Sequence, residues 1–331
     1  MSSINSIYGA PLTKIDFNSK DIIEPFLIPK IDQNEIYGVY HYCWNYYYNQ
    51  LIGNHKHYYG IKEIKGDKVL FVIAKVNFMT TQYDRLMNYP LSLAGNKENE
   101  DAVFDWLLKS GVKQAYLSNM FANRLDPVVY SWDIKEQSWA DSDFYCFIPD
   151  ELSLFNNRYK THYRINALLN NPDFVYAPAE LRHKEDIREL CVAWQAQKGN
   201  GIFSKKLFQN YLEYYNQNIY LQKLKQFVLL YKGKVMALTV FAPMFNGEYC
   251  HKLIQWSYKR GYLPEDFVLD KILSQLGQNL HYLYVNELNK QDVKYLSCAG
   301  GAGSSKLYSH KKGLYPRVLP YYKVERKGNE L

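Results

Sequence analysis

The amino-acid sequence predicts a mixed α/β (α+β) chain in two halves. Three observations predict it. Between Gln226 and Tyr258, apolar runs are separated by Lys232-Gly233-Lys234 and Asn246-Gly247, the pattern of an antiparallel meander. Strand and helix patterns alternate on both sides of position 150. A basic, helix-patterned segment, Leu152 to Leu169, separates the two regions. With 331 residues, 47% of them hydrophobic and 22% charged, the chain is long enough to bury a core in each half.

In chain order, Ile4 to Ile31 reads as irregular because Pro11, Pro25 and Pro29 interrupt it. Asn34 to Leu51, rich in aromatics and free of Pro, reads as a helix. Tyr58 to Ile64 and Val69 to Val76 flank the turn Lys65-Gly66-Asp67-Lys68 and predict a hairpin. Val103, Phe104, Leu107 and Leu108 fall at helical spacing within Glu98 to Ser110, and Gly111 stops that helix. Strands follow at Gln114 to Asn119 and Phe144 to Ile148.

The segment Leu152 to Leu169 is helical by pattern and places Arg158, Lys160, His162 and Arg164 on exposed positions. It reads as a hinge, which divides the chain into 1–150, a connecting helix 151–172, and 173–331. Phe174 to Ala177 forms a strand and Lys184 to Lys198 a helix; Ser204 caps a further helix to about Asn216. After the meander, Pro264 starts a long helix with Phe267, Ile272, Leu273 and Leu276 on one side. The last unit runs from the strand Tyr295 to Cys298, through a loop with Gly300, Gly301 and Gly303 and a basic helix at Leu307 to Lys312, to the strand Arg317 to Val324.

Several function classes lose weight on composition. The opening residues lack a basic start and an apolar run, and nowhere do about 18 consecutive apolar residues occur, so a cytoplasmic protein without a transmembrane segment is expected. Five cysteines lie far apart with no CxxC pair, against a zinc site or a disulfide framework. His55 and His57 have no cysteine or carboxylate beside them, and no metal is expected. The net charge of +7 suits an anionic partner such as tRNA, a nucleotide-bearing substrate or a lipid headgroup.

Glycines between a strand and a helix allow close backbone approach, and N–H groups at a helix start attract negative charge. The loop Gly300 to Gly303 is therefore a candidate site, although a tight turn with a solvated basic helix has the same pattern.

The order of three antiparallel strands, helix, strand, helix, strand resembles the GNAT acyltransferase fold. In that fold the strands before and after the long helix splay apart, and the acyl donor lies in the gap. Here those elements are Tyr249 to Tyr258 and Tyr295 to Cys298. At the usual coenzyme A loop this chain has Lys259-Arg260-Gly261-Tyr262-Leu263-Pro264, with one glycine and the basic residues but without the second glycine.

From about Asn34 to Val324 the chain also resembles the soluble synthase domain of phosphatidylglycerol lysyltransferases and the Fem-type aminoacyltransferases. The residues that carry this are Asp143-Phe144-Tyr145-Cys146-Phe147-Ile148, followed by Arg164-Ile165-Asn166; the strand pair around Lys232-Gly233-Lys234-Val235; and Leu307-Tyr308-Ser309-His310-Lys311-Lys312-Gly313-Leu314-Tyr315-Pro316. The resemblance implies two tandem GNAT-like domains, each a mixed, mostly antiparallel sheet flanked by helices, with the active cleft in the second.

It further implies transfer of an acyl or aminoacyl group to an amine or hydroxyl. No cofactor is expected to be tightly bound, and acyl-coenzyme A or aminoacyl-tRNA serves as co-substrate. The net charge and the altered loop favour aminoacyl-tRNA. The acceptor is an amine-bearing small molecule, a peptide or a lipid headgroup. The candidate base is Asp266, with Glu265, His251 and His310 as alternatives. Gly300, Gly301 and Gly303 are candidates to hold the oxyanion. Arg158, Lys160, Arg164, Asn166, Arg260, Lys311 and Lys312 are candidates to bind donor or acceptor. The alternative from a different class is a GNAT-like module without chemistry that binds nucleic acid or a partner protein through the same basic residues.

Overall fold

A computed structural model describes residues 9–16, 19–32, 56–78, 81–122, 124–126, 129–132, 143–157, 165–166, 168–198, 209, 223–244, 247–258, 276–298, 314–315, 317–319 and 321–326. In chain order the elements are β1 (Leu12–Lys14), α1 (Lys20–Asp32), β2 (Lys56–Ile64), β3 (Asp67–Phe78), β4 (Thr81–Leu86), β5 (Leu91–Ser92), α2 (Lys97–Lys109), β6 (Gln114–Ser118), α3 (Asn119–Ala122) and β7 (Tyr130–Trp132). There follow β8 (Asp143–Phe147), α4 (Ile148–Asn157), β9 (Phe174–Pro178), α5 (Lys184–Lys198), β10 (Lys225–Tyr231), β11 (Lys234–Met244), β12 (Tyr249–Ser257), α6 (Leu276–Asn289), β13 (Tyr295–Cys298), β14 (Arg317–Leu319) and β15 (Tyr321–Arg326).

The chain divides into two compact units. Unit 1 comprises Met1–Phe144, Ala299–Lys311 and Val318–Leu331; unit 2 comprises Tyr145–Cys298 and Lys312–Arg317. Each is built on one sheet of mixed strand direction flanked by helices, the fold class expected.

In unit 1 the strand order is β1-β2-β3-β4-β6-β15-β7, with β5 beside β3. The hairpin β2–β3 turns at Lys65 and Gly66, both at positive φ, as expected from its turn residues. Val69 to Ala74 are all buried, so β3 is covered on both faces, and α1 and α2 both pack on it. Val69, Phe71 and Ile73 join Val103, Phe104 and Leu107 of α2 in the core. Asn96 caps α2 by accepting from the Glu98 and Asn99 N–H groups at 3.0 and 3.3 Å.

Three local expectations need correction. Residues 20–32 form a helix although they contain Pro25 and Pro29. Burial of Ile23, Phe26 and Leu27 outweighs the ladder bonds that two prolines cannot donate. The helix expected from Leu152 begins at Ile148, directly after β8. Arg317 to Val324 is two strands: β14 lies in the sheet of unit 2, and β15 pairs antiparallel with β6 in unit 1. Pro320, which has no N–H for a ladder, stands between them. The chain beyond it thus returns to the first sheet, whereas the sequence reading ran the second domain from 173 to 331. The helix expected at 34–51 lies outside the described residues, as does that at 204–216 apart from residue 209.

Unit 2 has the order β14-β8-β13-β12-β11-β10-β9. The meander is as expected: β10, β11 and β12 are antiparallel neighbours. β12 and β13 run parallel, from Tyr249 opposite Tyr295 to Lys252 opposite Cys298. β12 then continues to Ser257, while β13 ends at Cys298. On one face α5 packs against β11 and β12, and Trp194 lies 5.9 Å from Trp256. On the other, Tyr284 of α6 meets Phe241 of β11 at 5.1 Å.

Candidate active site

One irregularity in β12 sets the geometry of the site. Phe241 lies opposite Lys252 and Val240 opposite Ile254, so Leu253 is an extra residue, a β-bulge. Thr239 and Phe241 are two apart on β11 and share a face; their partners on β12, Gln255 and Lys252, are three apart. The bulge thereby puts Lys252 and Gln255 side by side, and Lys252 Nζ donates to Gln255 Oε1 at 2.9 Å.

Lys252 faces α6, where a chain of buried polar groups begins. Its Nζ lies 3.4 Å from Tyr284 Oη and sits over the rings of Tyr284 and Tyr315, 5.4 and 5.2 Å from their centroids. Tyr284 and Tyr315 share a hydrogen bond of 2.9 Å, and Tyr284 Oη lies 2.7 Å from His281 Nδ1. His281 and Tyr284 are three residues apart on α6 and therefore share a face. On the far side of the imidazole, Nε2 lies 3.7 Å from Glu151 Oε2 of α4. His281, Tyr284 and Tyr315 are each 0% exposed and Glu151 5%, whereas Lys252 is half-buried. Burial pushes both phenols well above their ordinary pKa, so they stay protonated and act as hydrogen-bond donors.

A second polar pair occupies the other face of the same strand. His251 is directly opposite Ser297 in the parallel register, and its Nδ1 lies 2.6 Å from Ser297 Oγ. Both residues are buried. Neighbouring residues of a strand point to opposite faces, which separates this pair from Lys252.

Among the sequence candidates, His251 occupies this buried position on β12, and Asn166 is half-buried with its backbone carbonyl accepting from the Asn170 N–H at 2.8 Å. Arg158, Lys160, Arg164, Arg260, Asp266, Gly300, Gly301, Gly303, His310, Lys311 and Lys312 lie outside the described residues. Sequence reasoning passed over Glu151, Lys252, His281 and Tyr284. Tyr315 stands in the sequence within the stretch Leu307 to Pro316, where nothing local marks it out. The signal for His281 and Tyr284 was their three-residue spacing in Leu280-His281-Tyr282-Leu283-Tyr284-Val285, which reads first as core. Among the described residues no group of three His, Cys, Asp or Glu is placed to hold a metal ion, and no helix is long and apolar enough to cross a membrane.

The fold matches several solved structures. A conserved protein of unknown function from Bacteroides thetaiotaomicron aligns over 96% of this chain and 100% of its own, with 17% identity and a TM-score of 0.63. The C-terminal domain of a putative lysylphosphatidylglycerol synthetase from Agrobacterium fabrum aligns over 84% and 87%, with 10% identity and a TM-score of 0.53. The fold is GNAT-like. The L-PGS from Bacillus licheniformis aligns over 85% and 87%, with 12% identity and a TM-score of 0.50. No family model and no curated protein matches the sequence. At these identities the likeness establishes a GNAT-like fold resembling the lysylphosphatidylglycerol synthetase domain. The parallel pair β12–β13, with α6 between them in the chain, is the part of that fold on which the Lys252 chain is built.

Proposed function

We propose that the chain is an acyltransferase that moves an aminoacyl or acyl group from an activated donor to an amine or hydroxyl, with the reaction in unit 2. The observation that carries this reading is the half-buried Lys252 at the bulge of β12, beside the parallel strand pair of a GNAT-like sheet and backed by four buried titratable side chains. Acyl transfer needs a nucleophile held near the carbonyl, a path for its proton and a positive or hydrogen-bonding partner for the oxyanion. Lys252 supplies charge where side chains of both strand and helix converge. The phenols of Tyr284 and Tyr315 keep it there by hydrogen bonding and ring contact.

Aminoacyl-tRNA is the favoured donor over acyl-coenzyme A, on the net charge of +7 and the Tyr262-Leu263-Pro264 run where a pyrophosphate loop would need glycine. The buried thiols Cys146, Cys191, Cys250 and Cys298 suit a reducing, cytoplasmic setting. The test is incubation of the purified protein with radiolabelled aminoacyl-tRNA or acyl-coenzyme A and a mixture of amines and alcohols. Label should pass to an acceptor from one of the donors. Absence of transfer from both, with the fold intact, would favour the binding-module alternative.

A further inference from the structure

Glu151, His281, Tyr284, Tyr315 and Lys252 come from four separate stretches of unit 2 and touch in series. Apolar side chains of similar volume commonly hold a core as well as or better than such a network. Stability therefore gives no reason for five titratable groups here.

The hydrogen bonds also have a direction. An ammonium only donates, so the Tyr284 oxygen accepts from Lys252. A phenol has one proton to give, and Tyr284 gives it either to His281 Nδ1 or to Tyr315. The carboxylate of Glu151 near His281 Nε2 favours an N–H on that nitrogen and leaves Nδ1 to accept. Tyr284 then donates to His281, and Tyr315 donates to Tyr284. Every hydrogen bond from Lys252 to His281 points inward, and the Glu151 carboxylate lies 3.7 Å beyond His281 Nε2. The other titratable groups around the Tyr284 hydroxyl are Cys146 of β8, Cys298 of β13 and Tyr176 of β9, which are uncharged as thiols and phenol.

We propose that the acceptor is a primary amine that arrives as its ammonium ion, and that Lys252 removes its proton by passing one of its own inward through Tyr284 to His281, with Glu151 as the counter-charge. This rests on the acyltransferase reading and narrows its acceptor. The acceptor N–H breaks as an N–H forms on Lys252 Nζ. A Lys252 proton moves to Tyr284 Oη, and the Tyr284 proton moves to His281 Nδ1. The acceptor becomes a neutral amine, Lys252 remains an ammonium, and His281 becomes an imidazolium against the Glu151 carboxylate. The amine nitrogen then bonds to the donor carbonyl, the carbon–oxygen or carbon–sulfur bond of the donor breaks, and the second nitrogen proton leaves with that oxygen or sulfur. The stored proton returns to solvent by the same path after the product departs.

An acceptor that is already neutral at pH 7 needs no such path, and this gives the test. Acyl transfer to an alkylamine and to methoxyamine, a weakly basic nucleophile, is measured at pH 7 with wild type, Tyr284→Phe and Glu151→Gln. Urea midpoints verify that each variant folds, and the two variants probe different links of the chain. The expected result is a fall in kcat of roughly a hundred-fold for the alkylamine in both variants, with unchanged KM and a loss at least ten-fold smaller for methoxyamine. Equal losses for the two acceptors, or no loss for either, would overturn the relay while leaving acyl transfer standing. Absence of transfer by the wild type to both acceptors would overturn the acyltransferase reading and the relay together.

Discussion

His251 and Ser297 face each other across the parallel pair β12–β13, with Nδ1 and Oγ 2.6 Å apart and both side chains buried. The bond ties the two strands that would frame the donor cleft at the level where Lys252 emerges on the opposite face. Ser297→Ala removes the hydroxyl from a buried imidazole and should cost about 1–3 kcal/mol. Urea unfolding of wild type and variant measures it. A midpoint within error of wild type would mean that the pair does not hold the strands.

In unit 1 the close approach of β2 to β3 depends on Gly60. A Cβ there would stand 2.3 Å from Cζ of Phe71, whose ring is fully buried and packs edge-on against Trp106. Gly60→Ala should destabilise by roughly 1–3 kcal/mol through overpacking. Phe71→Leu combined with Gly60→Ala should cost less than the sum of the single changes, because the atoms that clash are gone. Strict additivity in a double-mutant cycle would contradict the packing account.

Local chemistry made part of this legible in the sequence, and long-range pairing made the rest illegible. The turn at Lys65 and Gly66 and the meander of β10 to β12 follow from turn residues beside apolar runs, which act within a few positions. The helix across Pro25 and Pro29 was missed because its stability comes from the burial of Ile23, Phe26 and Leu27. The return of β15 to the first sheet depends on a partner, β6, some two hundred positions earlier in the chain. The same holds for the site. His251 was named from the sequence, but Lys252 was not, because its exceptional position comes from a bulge visible only in the register with β11. Tyr284 and His281 were hidden in an apolar helix, and Glu151 lies 130 positions before His281 (281 − 151).

Asp67 gives unit 1 a defined acid response. Burial pushes its carboxyl up, but hydrogen bonds from Ser92 Oγ at 2.6 Å, Asn99 Nδ2 at 3.0 Å and the Ala94 N–H at 3.3 Å prevail and hold it below the usual value. A depressed folded pKa contributes stability above the unfolded value, about 3.9, and loses it as pH falls through the folded value. Asp67→Asn should therefore have a lower urea midpoint than wild type at pH 7, and the two should converge below about pH 3. A gap of the same size at both pH values would show that the carboxylate charge is not what Asp67 contributes.

The bulge at Leu253 predicts a specific sensitivity at Lys252. Lys252→Met keeps the length of the stem beneath the two phenol rings and removes the ammonium. Its unfolding free energy from urea titration should stay within about 1 kcal/mol of wild type, as expected for a half-buried cation. Acyl transfer to an alkylamine should fall by at least ten-fold.

The central claim is acyl transfer in unit 2, and mass spectrometry of the acceptor tests it most directly. Purified wild-type protein, an aminoacyl-tRNA or acyl-coenzyme A donor and a primary amine should yield the amide, seen as the acyl mass added to the amine, at a rate that Lys252→Met lowers at least ten-fold. No amide above the protein-free control with either donor, from a folded protein, would contradict it.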